Sequence, residues 1–155
     1  MHIAISKLLD PGRLSALQSL LADPEIYIDG NSSAGVAAAA VKHNQQANPA
    51  HPEVKGALKL VQQQLEQNKV FQSAAQSARF ARLQISRYGE GMGYGLHNDG
   101  AVIDGVRTDL SFTLFLSDPA SYDGGELLLH DAAGVEPVKL AAGDLMLYPS
   151  GCLHE

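Results

Sequence analysis

Two residues in the stretch YGLHNDG, residues 94–100, have side chains that can bind a metal ion: His97 and Asp99. In an extended strand, residues i and i+2 point to the same face, so an imidazole nitrogen and a carboxylate oxygen could reach one ion. A second histidine, His154, follows a strand-like run and a Pro-Ser-Gly turn. An antiparallel sheet could return it to the same place. These three residues are therefore candidates for one metal site.

The ligand set limits the chemistry that this site can support. Two histidines and one carboxylate form the facial triad of non-haem iron oxygenases, and they leave coordination positions open for a bidentate cosubstrate and dioxygen. Four protein ligands, as in structural zinc sites, would leave too little room. A His-x-Asp pair by itself is a weak signal, because both residues are common and a surface loop can carry them. The residues around the pair must therefore show whether it belongs to a metal site or to a surface loop.

The composition is that of a globular protein with an acidic balance. The chain has 155 residues, of which 45% are hydrophobic, and a formal net charge of −6. This length is enough for a hydrophobic core, and we expect a single domain over residues 1–155. The negative charge argues against nucleic acid and against an anionic membrane surface as partners.

The sequence also gives signals about the cellular compartment. Cys152 is the single cysteine, so no disulfide can form within the chain, and a reducing compartment is expected. The first residues, MHIAISKLLDPGR, lack the positive start and long apolar run of a signal peptide. No apolar stretch approaches the roughly 20 residues that a membrane-spanning helix needs. We therefore predict a cytoplasmic protein that does not enter membranes.

Helices are predicted in residues 1–70. Asp10 and Pro11 have the types preferred at the N-cap and first position of a helix, and leucines follow at helical spacing as far as Asp23. A second amphipathic helix is predicted to begin at Pro52. Residues 25–50 stay open between helix and turn, because their alanines favour a helix whereas Asp29 and its neighbours favour a turn.

From residues 70–75 onward, strands separated by Pro, Gly and Asp are predicted instead. The period of two in the run around Phe112 is typical of a strand. Five such runs are ARFARLQISRY (78–88), DLSFTLFLS (109–117), GELLLH (125–130), PVKL (137–140) and GDLMLYP (143–149). Helices followed by strands indicate an α+β, mainly β fold: an antiparallel sandwich or jelly roll with N-terminal supporting helices.

The residues around the candidate ligands form a more specific pattern than the ligands alone. Its parts are Arg87-Tyr88, Gly91-Met92, Tyr94, His97-x-Asp99, residues 105–111 (GVRTDLS), 115–119 (FLSDP), 122–127 (YDGGEL), 142–144 (AGD), 148–150 (YPS) and His154. Earlier segments, at residues 29–30, 34–35 and 42–46, belong to the same pattern. The sequence resembles the Fe(II)- and 2-oxoglutarate-dependent dioxygenases of the prolyl-4-hydroxylase-like type, and more narrowly the bacterial PKHD-type hydroxylases. The resemblance covers most of the chain.

This resemblance implies a double-stranded β-helix, a jelly-roll variant, with His97, Asp99 and His154 as the iron ligands. It implies a dioxygenase that hydroxylates its substrate while 2-oxoglutarate is converted to succinate and carbon dioxide. Ascorbate would keep the iron ferrous. Tyr88 stands where a tyrosine of related prolyl hydroxylases brings its hydroxyl near the 2-oxoglutarate carboxylate. A packed aromatic residue with a solvated hydroxyl is the alternative for Tyr88.

One residue of the family pattern has no counterpart. In this family a basic residue, usually Arg, follows the distal histidine by about ten positions and pairs with the far carboxylate of 2-oxoglutarate. This sequence ends at Glu155, one residue after His154, and no Lys or Arg follows Lys139. We therefore expect a fragment whose last jelly-roll strands are missing, with an exposed strand edge. Arg87 and Arg107 are candidates to bind the far carboxylate in place of the missing basic residue. The alternative for Arg87 is a solvated strand residue, and the alternative for Arg107 is an ion pair with a nearby carboxylate.

Three hypotheses for the function follow. The first is the dioxygenase. The second is a non-catalytic metal-binding jelly-roll module, a sensor or interaction protein, which the absent basic residue favours. The third is a cupin-type metalloenzyme without 2-oxoglutarate, ranked last because cupin ligand motifs generally contain more histidines and a Glu. The substrate, a small molecule or a protein side chain, stays open, and the resemblance is compatible with a homo-oligomer.

Overall fold

The structure is a computed structural model that describes residues 2–33, 39–76 and 79–155. Within these ranges the helices of more than one turn are α1 (Pro11–Leu21), α2 (Pro52–Gln67) and α3 (Lys69–Ala75). The predicted start of α1 is confirmed, because the Asp10 carboxylate accepts the backbone N–H of Arg13 at 3.0 Å. Pro52 begins α2, also as predicted. None of the helices in these ranges is long and apolar enough to cross a bilayer.

Short strands connect and follow the helices. In chain order they are β1 (Ile3–Ile5), β2 (Tyr27–Asp29), β3 (Lys42–His43), β4 (Gln45–Ala47), β5 (Ser86–Arg87), β6 (Gly93–Tyr94), β7 (Val102–Ile103), β8 (Val106–Arg107), β9 (Leu110–Leu114), β10 (Leu127–Asp131), β11 (Gly134–Val138), β12 (Leu145–Pro149) and β13 (Leu153–His154). They form three-stranded sheets in the orders β1-β12-β9, β11-β10-β13 and β2-β4-β5, and the pairs β3-β6 and β7-β8. This mixture of helices and strands agrees with the predicted α+β class.

The sheet β1-β12-β9 separates two hydrophobic clusters. Leu145 and Leu147 of the central strand β12 are 0% and 2% exposed and pack in the larger cluster with residues of α1, α2 and α3. Successive residues of a strand point to opposite faces. Met146 and Tyr148 therefore face the other side, where they belong to the second cluster.

The sheet β11-β10-β13 closes over this second cluster. Leu129 of β10 is fully buried and packs there with Phe115 and Val138. In the β10-β13 register, Leu129 lies opposite His154. The ring of His154 lies 5.1 Å from the ring of Tyr148, between centroids. The last strand therefore places His154 beside the inner face of β12.

Strands β2, β3 and β4 connect the N-terminal region to the segment that precedes the candidate ligands. Gln45 lies opposite Arg87 between β4 and β5, and Lys42 lies opposite Tyr94 between β3 and β6. These strands lie in the segment 25–50 that the sequence left open between helix and turn. Residues 34–38 of that segment lie outside the described residues.

The strand expected over residues 78–88 is wrong for most of its length. In the part of this stretch that the structure describes, only β5 is a strand; Ala78 lies outside. The ring of Phe80 lies 6.1 Å from Phe71 and 6.5 Å from Phe112. Phe80 therefore packs in an aromatic cluster, and the residues around it that the structure describes do not pair with a neighbouring strand. The strand expected over residues 137–140 begins earlier, at Gly134, and ends at Val138.

Candidate metal centre

The structure brings His97, Asp99 and His154 together. One potential ligand atom from each residue lies within 4.8 Å of the other two. No other group of three or more His, Cys, Asp or Glu residues in the described part of the chain has this spacing. His154 is buried, whereas His97 and Asp99 are half-buried. The predicted convergence of these three residues is therefore present.

Main-chain hydrogen bonds fix the distance between the two histidines. His97 and His154 form an isolated antiparallel bridge. The N–H of His97 donates to the carbonyl of His154 at 2.9 Å, and the N–H of His154 donates to the carbonyl of His97 at 2.8 Å. The centroids of the two imidazole rings lie 4.2 Å apart. Because β10 pairs with the other edge of β13, His154 is held from both sides.

Each imidazole is oriented by the carbonyl two residues before it. Nδ1 of His97 lies 2.8 Å from the Gly95 oxygen, and Nδ1 of His154 lies 2.9 Å from the Cys152 oxygen. A carbonyl can only accept, so both Nδ1 atoms donate and carry the ring proton. In the tautomer that this hydrogen bond selects, Nε2 is the ring nitrogen left to ligate a metal.

Hydrogen bonds hold both the backbone and the side chain of Asp99. The backbone N–H of Asp99 donates to the Ser150 carbonyl at 3.0 Å. The hydroxyl of Ser111 donates to Asp99 Oδ2. The same oxygen lies 4.0 Å from Nε2 of His154. The three candidate ligands therefore point toward a common volume from two segments, one with His97 and Asp99 and the other with His154.

Electrostatics at this centre favour the neutral state of His97. Burial lowers the pKa of this imidazole below its ordinary value of 6.5, because desolvation disfavours the charged ring. The hydrogen bond to Gly95 and the Asp99 carboxylate act in the opposite direction and raise the pKa, whereas the nearby Lys42 ammonium lowers it. His97 is therefore neutral at pH 7, as a metal ligand must be.

An aromatic stack supports the outer face of His97. The ring of Tyr94 lies 3.6 Å from the imidazole, between centroids, with 15° between the planes. On β3, the ammonium of Lys42 lies 5.3 Å from the centre of the Tyr94 ring, within the range of a cation–π contact. Burial lowers the pKa of Lys42. This stack joins the N-terminal strands to the candidate ligand.

A large open cleft of about 2750 Å³ leads to the centre. His97, Asp99 and Tyr148 line one part of it, and Leu58 and Phe71 line the helical end. Tyr88 also lines the cleft. Burial raises the pKa of the Tyr88 hydroxyl above its ordinary value of 10.0. Tyr88 as a whole residue is 48% exposed, so part of its side chain is open to the cleft.

Neither arginine named as a substituting cation lies free in the cleft. Arg87 donates to the Gln45 side-chain oxygen at 2.7 and 2.9 Å, and its guanidinium lies 3.8 Å from the centre of the Tyr27 ring. Arg87 is half-buried, so the solvated alternative is wrong for this residue. Arg107 forms an exposed ion pair with Asp109 at 2.7 Å, which is one of its predicted alternatives.

Residues that support the ligands were not found from the sequence. Ser111 and Ser150 bond to Asp99, and Tyr94 stacks on His97. Ser150 is 5% exposed and its hydroxyl donates to the Thr108 carbonyl at 2.8 Å. The alternation in β9 was the available signal for Ser111, because it places this polar residue on the face opposite Leu110 and Phe112.

Comparison with known proteins places the chain among iron-dependent oxygenases. The model of the 2OG-Fe(II) oxygenase superfamily matches residues 83–155. A PKHD-type hydroxylase of Parvibaculum lavamentivorans is 46% identical over 154 residues, which are 99% of this chain and 70% of that protein. A PKHD-type hydroxylase of Picosynechococcus sp. is 41% identical over 154 residues, with the same two coverages.

A solved structure agrees with these matches at the level of the fold. The crystal structure of a Pseudomonas putida prolyl-4-hydroxylase matches 99% of this chain and 82% of that chain, with a TM-score of 0.66 and 20% sequence identity. The identity of 46% over nearly the whole chain shows the family directly. This protein belongs to the PKHD-type hydroxylases of the 2OG-Fe(II) oxygenase superfamily, and it is a 2-oxoglutarate-dependent dioxygenase.

Proposed function

We propose that this dioxygenase holds its Fe(II) through His97, Asp99 and His154. The observation that carries the proposal is the convergence of one potential ligand atom from each of these residues within 4.8 Å. The Nδ1 atoms of both rings are already bonded to carbonyls, so Nε2 is the atom left for a metal.

The residues fit Fe(II) by their chemistry. Two imidazoles and one carboxylate are the ligand set of non-haem Fe(II) oxygenases, and three protein ligands leave positions for exogenous ligands. A thiolate would favour softer metals, and the sulfur of Cys152 is turned toward the His130 carbonyl at 3.3 Å. The neutral state of His97 removes the need to displace a proton when a metal binds near pH 7.

The protein's own residues would bind and orient the reactants. When bound, iron and 2-oxoglutarate supply an oxidation in which the cosubstrate is converted to succinate and carbon dioxide while the substrate is hydroxylated. The His97–His154 bridge fixes the spacing of two ligands, and the hydrogen bonds to Gly95 and Cys152 fix their ring orientation. Burial of His154 and Tyr148 excludes water from the inner side of the centre.

Tyr88 is the residue that we propose as a contact of 2-oxoglutarate. It lines the same cleft as His97 and Asp99, which supports the assignment. Tyr88 is also 48% exposed, so a ligand in the cleft can contact its side chain. A Tyr88→Phe variant with a raised Kd for 2-oxoglutarate and an unchanged Kd for metal would support this role.

We also propose a double-stranded β-helix as the fold of the strands around the metal centre. The sheets β1-β12-β9 and β11-β10-β13, which enclose one cluster around Leu129 and Met146, support a double-stranded β-helix. We propose ascorbate as the reductant that keeps the iron ferrous. Succinate formation that is unaffected by added ascorbate over many turnovers would exclude this role. The substrate is either a small molecule or a protein side chain.

The experiment that tests the metal site is anaerobic calorimetry with Fe(II) and then 2-oxoglutarate. We expect the wild-type chain to bind one Fe(II), and His97→Ala to lose this binding. His43→Ala is the matched control, because His43 is exposed and bonds only weakly, at 3.3 Å, to the Gly91 carbonyl. Stoichiometric Fe(II) uptake by His97→Ala would contradict the assignment.

The second titration separates the metal site from the cosubstrate site. Binding of 2-oxoglutarate to the Fe(II)-loaded chain, absent in His97→Ala, would support an assembled dioxygenase site. Iron binding without 2-oxoglutarate binding would support the three ligands and contradict cosubstrate binding by these 155 residues. Succinate release, measured with the same samples in air, then reports the reaction itself.

A further inference from the structure

We infer that Ser111 is a positioning residue, which fixes the carboxylate of Asp99 in the orientation that the metal needs. The inference rests on the iron site proposed above. The Ser111 hydroxyl donates to Asp99 Oδ2. Asp99 itself lies between β6 and β7, outside any strand. Its side chain therefore takes its orientation from β9 and not from the segment that carries it.

The need for such a partner follows from the flexibility of aspartate. Rotation of a carboxylate about its terminal bond is broad and roughly two-fold, so a strand or loop position does not fix it. The hydrogen bond from the Asp99 N–H to Ser150 fixes the backbone alone. A donor to one carboxylate oxygen limits the rotation and leaves the remaining lone pairs for the metal.

Ser111 is well placed for this task because its strand is held firmly. It lies at the second position of β9, directly opposite Tyr148 of the central strand β12. Tyr148 is 4% exposed and stands beside the His154 ring, with 5.1 Å between centroids. One strand pair therefore supports both Asp99, through Ser111, and the surroundings of His154.

Thr113 provides an internal comparison on the same strand. It lies two residues after Ser111, so both side chains point to the same face of β9. Its hydroxyl lies 3.3 Å from the Tyr148 hydroxyl, and the contact with Asp99 belongs to Ser111. Removing the hydroxyl of Thr113 therefore tests the loss of a half-buried hydroxyl on β9, without the loss of a donor to the carboxylate.

The test measures metal affinity, with Mn(II) as a redox-stable probe, by electron paramagnetic resonance of the free ion. We expect Ser111→Ala to bind Mn(II) about 10- to 100-fold more weakly than wild type, as is typical for loss of a partner that orients a ligand. Ser111→Thr retains a hydroxyl and should remain within a few-fold of wild type. Thr113→Val should bind Mn(II) as wild type does.

The spectrum of the bound ion adds a measurement that a general loss of stability would not change. A freed carboxylate should alter the zero-field splitting of bound Mn(II) in Ser111→Ala, and Ser111→Thr should restore the wild-type signal. If Ser111→Ala does not fold, Ser111→Cys replaces the strong donor by a weak one of similar size. It should then show the weakened affinity.

The outcomes distinguish this inference from the proposed site. Unchanged affinity and spectrum in Ser111→Ala, or equal weakening in Ser111→Ala and Thr113→Val, would overturn the role of Ser111 while wild-type binding remains intact. If His97→Ala binds Mn(II) as tightly as wild type, the metal site itself is wrong, and the role of Ser111 is overturned with it.

Discussion

His97 and His154 exchange both of their backbone hydrogen bonds across a single antiparallel bridge, at 2.9 and 2.8 Å. The two residues belong to segments separated by the strands β7 to β12. The unfolded chain therefore cannot hold both imidazoles and the Asp99 carboxylate at one point. Metal binding at this centre is consequently linked to folding, since the ligand set exists only when the bridge is formed.

Metal should stabilise the folded chain against unfolding by an amount set by its free concentration. At a Mn(II) concentration 100 times its Kd, the free energy of unfolding should rise by about 2.7 kcal/mol. We expect His154→Ala to lose this increase, because it removes the ligand carried by β13. Urea unfolding with and without Mn(II), followed by circular dichroism, measures the difference.

The control for this measurement is His43→Ala, which changes an exposed histidine on β3. It should retain the full increase in the free energy of unfolding on metal addition. An equal metal-induced increase in wild type and His154→Ala would indicate that Mn(II) binds elsewhere on the acidic surface.

Gly30 is packed against Asn44, and an alanine there should destabilise the fold. A Cβ at Gly30 would collide with Asn44 Oδ1 and lie 2.9 Å from Cγ and 3.0 Å from the carbonyl oxygen of the same residue. Asn44 is 3% exposed, so it has little room to move. Overpacking of this kind costs about 1–3 kcal/mol, and we expect Gly30→Ala to lower the free energy of unfolding by that amount.

Gly56→Ala is the matched change with the opposite expected sign. Gly56 lies inside α2, is exposed, and has no atom within 4 Å of an added Cβ. Alanine favours the helix over glycine by about 1 kcal/mol, so the free energy of unfolding should rise. Urea titrations of both variants measure the two signs. A stabilised Gly30→Ala variant would contradict the packing of Asn44 against this glycine.

The parts of the fold that could be predicted from the sequence depend on local interactions. The start of α1 follows from Asp10 and Pro11, and the strand β9 follows from alternation around Phe112. The stretch 78–88 has the composition of a strand, yet Phe80 packs into an aromatic cluster with Phe71 and Phe112. Such a contact joins distant segments, so no local pattern in the sequence reports it.

The convergence of the candidate ligands could be predicted because the residues around them match a family pattern, to which their own types and spacing add little. The residues that orient them could not, since their role depends on register. Ser111 reaches Asp99 only because β9 pairs with β12 in the register that sets Ser111 opposite Tyr148. Tyr94 stacks on His97 from three residues away, whereas residues at this spacing in the predicted strand would point to opposite faces.

Leu129 packs in the second hydrophobic cluster beside His154, and its truncation should lower the free energy of unfolding. Leu129 is 0% exposed to solvent, and it lies opposite His154 in the β10-β13 pair. Replacement of a buried leucine by alanine leaves a cavity and costs about 2–5 kcal/mol. We expect Leu129→Ala to lower the free energy of unfolding in this range. Val135→Ala, at a position 53% exposed on β11, should change it by no more than about 0.5 kcal/mol.

The N-cap of α1 should make a pH-dependent contribution to stability. The backbone N–H of Arg13, together with its guanidinium, lowers the pKa of the Asp10 carboxyl below the ordinary 3.8. A carboxyl whose pKa is lower in the folded state stabilises the fold fully above its unfolded pKa. This contribution is lost as the pH falls through the folded value.

Asp10→Asn isolates this contribution, because asparagine keeps an acceptor for the Arg13 N–H but cannot ionise. We expect wild type to have the higher urea midpoint at pH 6, and the difference from Asp10→Asn to shrink as the pH falls from 3.8 toward lower values. Because both chains share every other titrating group, the general acid sensitivity of the fold cancels in the difference. A difference in midpoint that is constant from pH 6 to the acid limit of folding would show that ionisation of Asp10 does not stabilise α1.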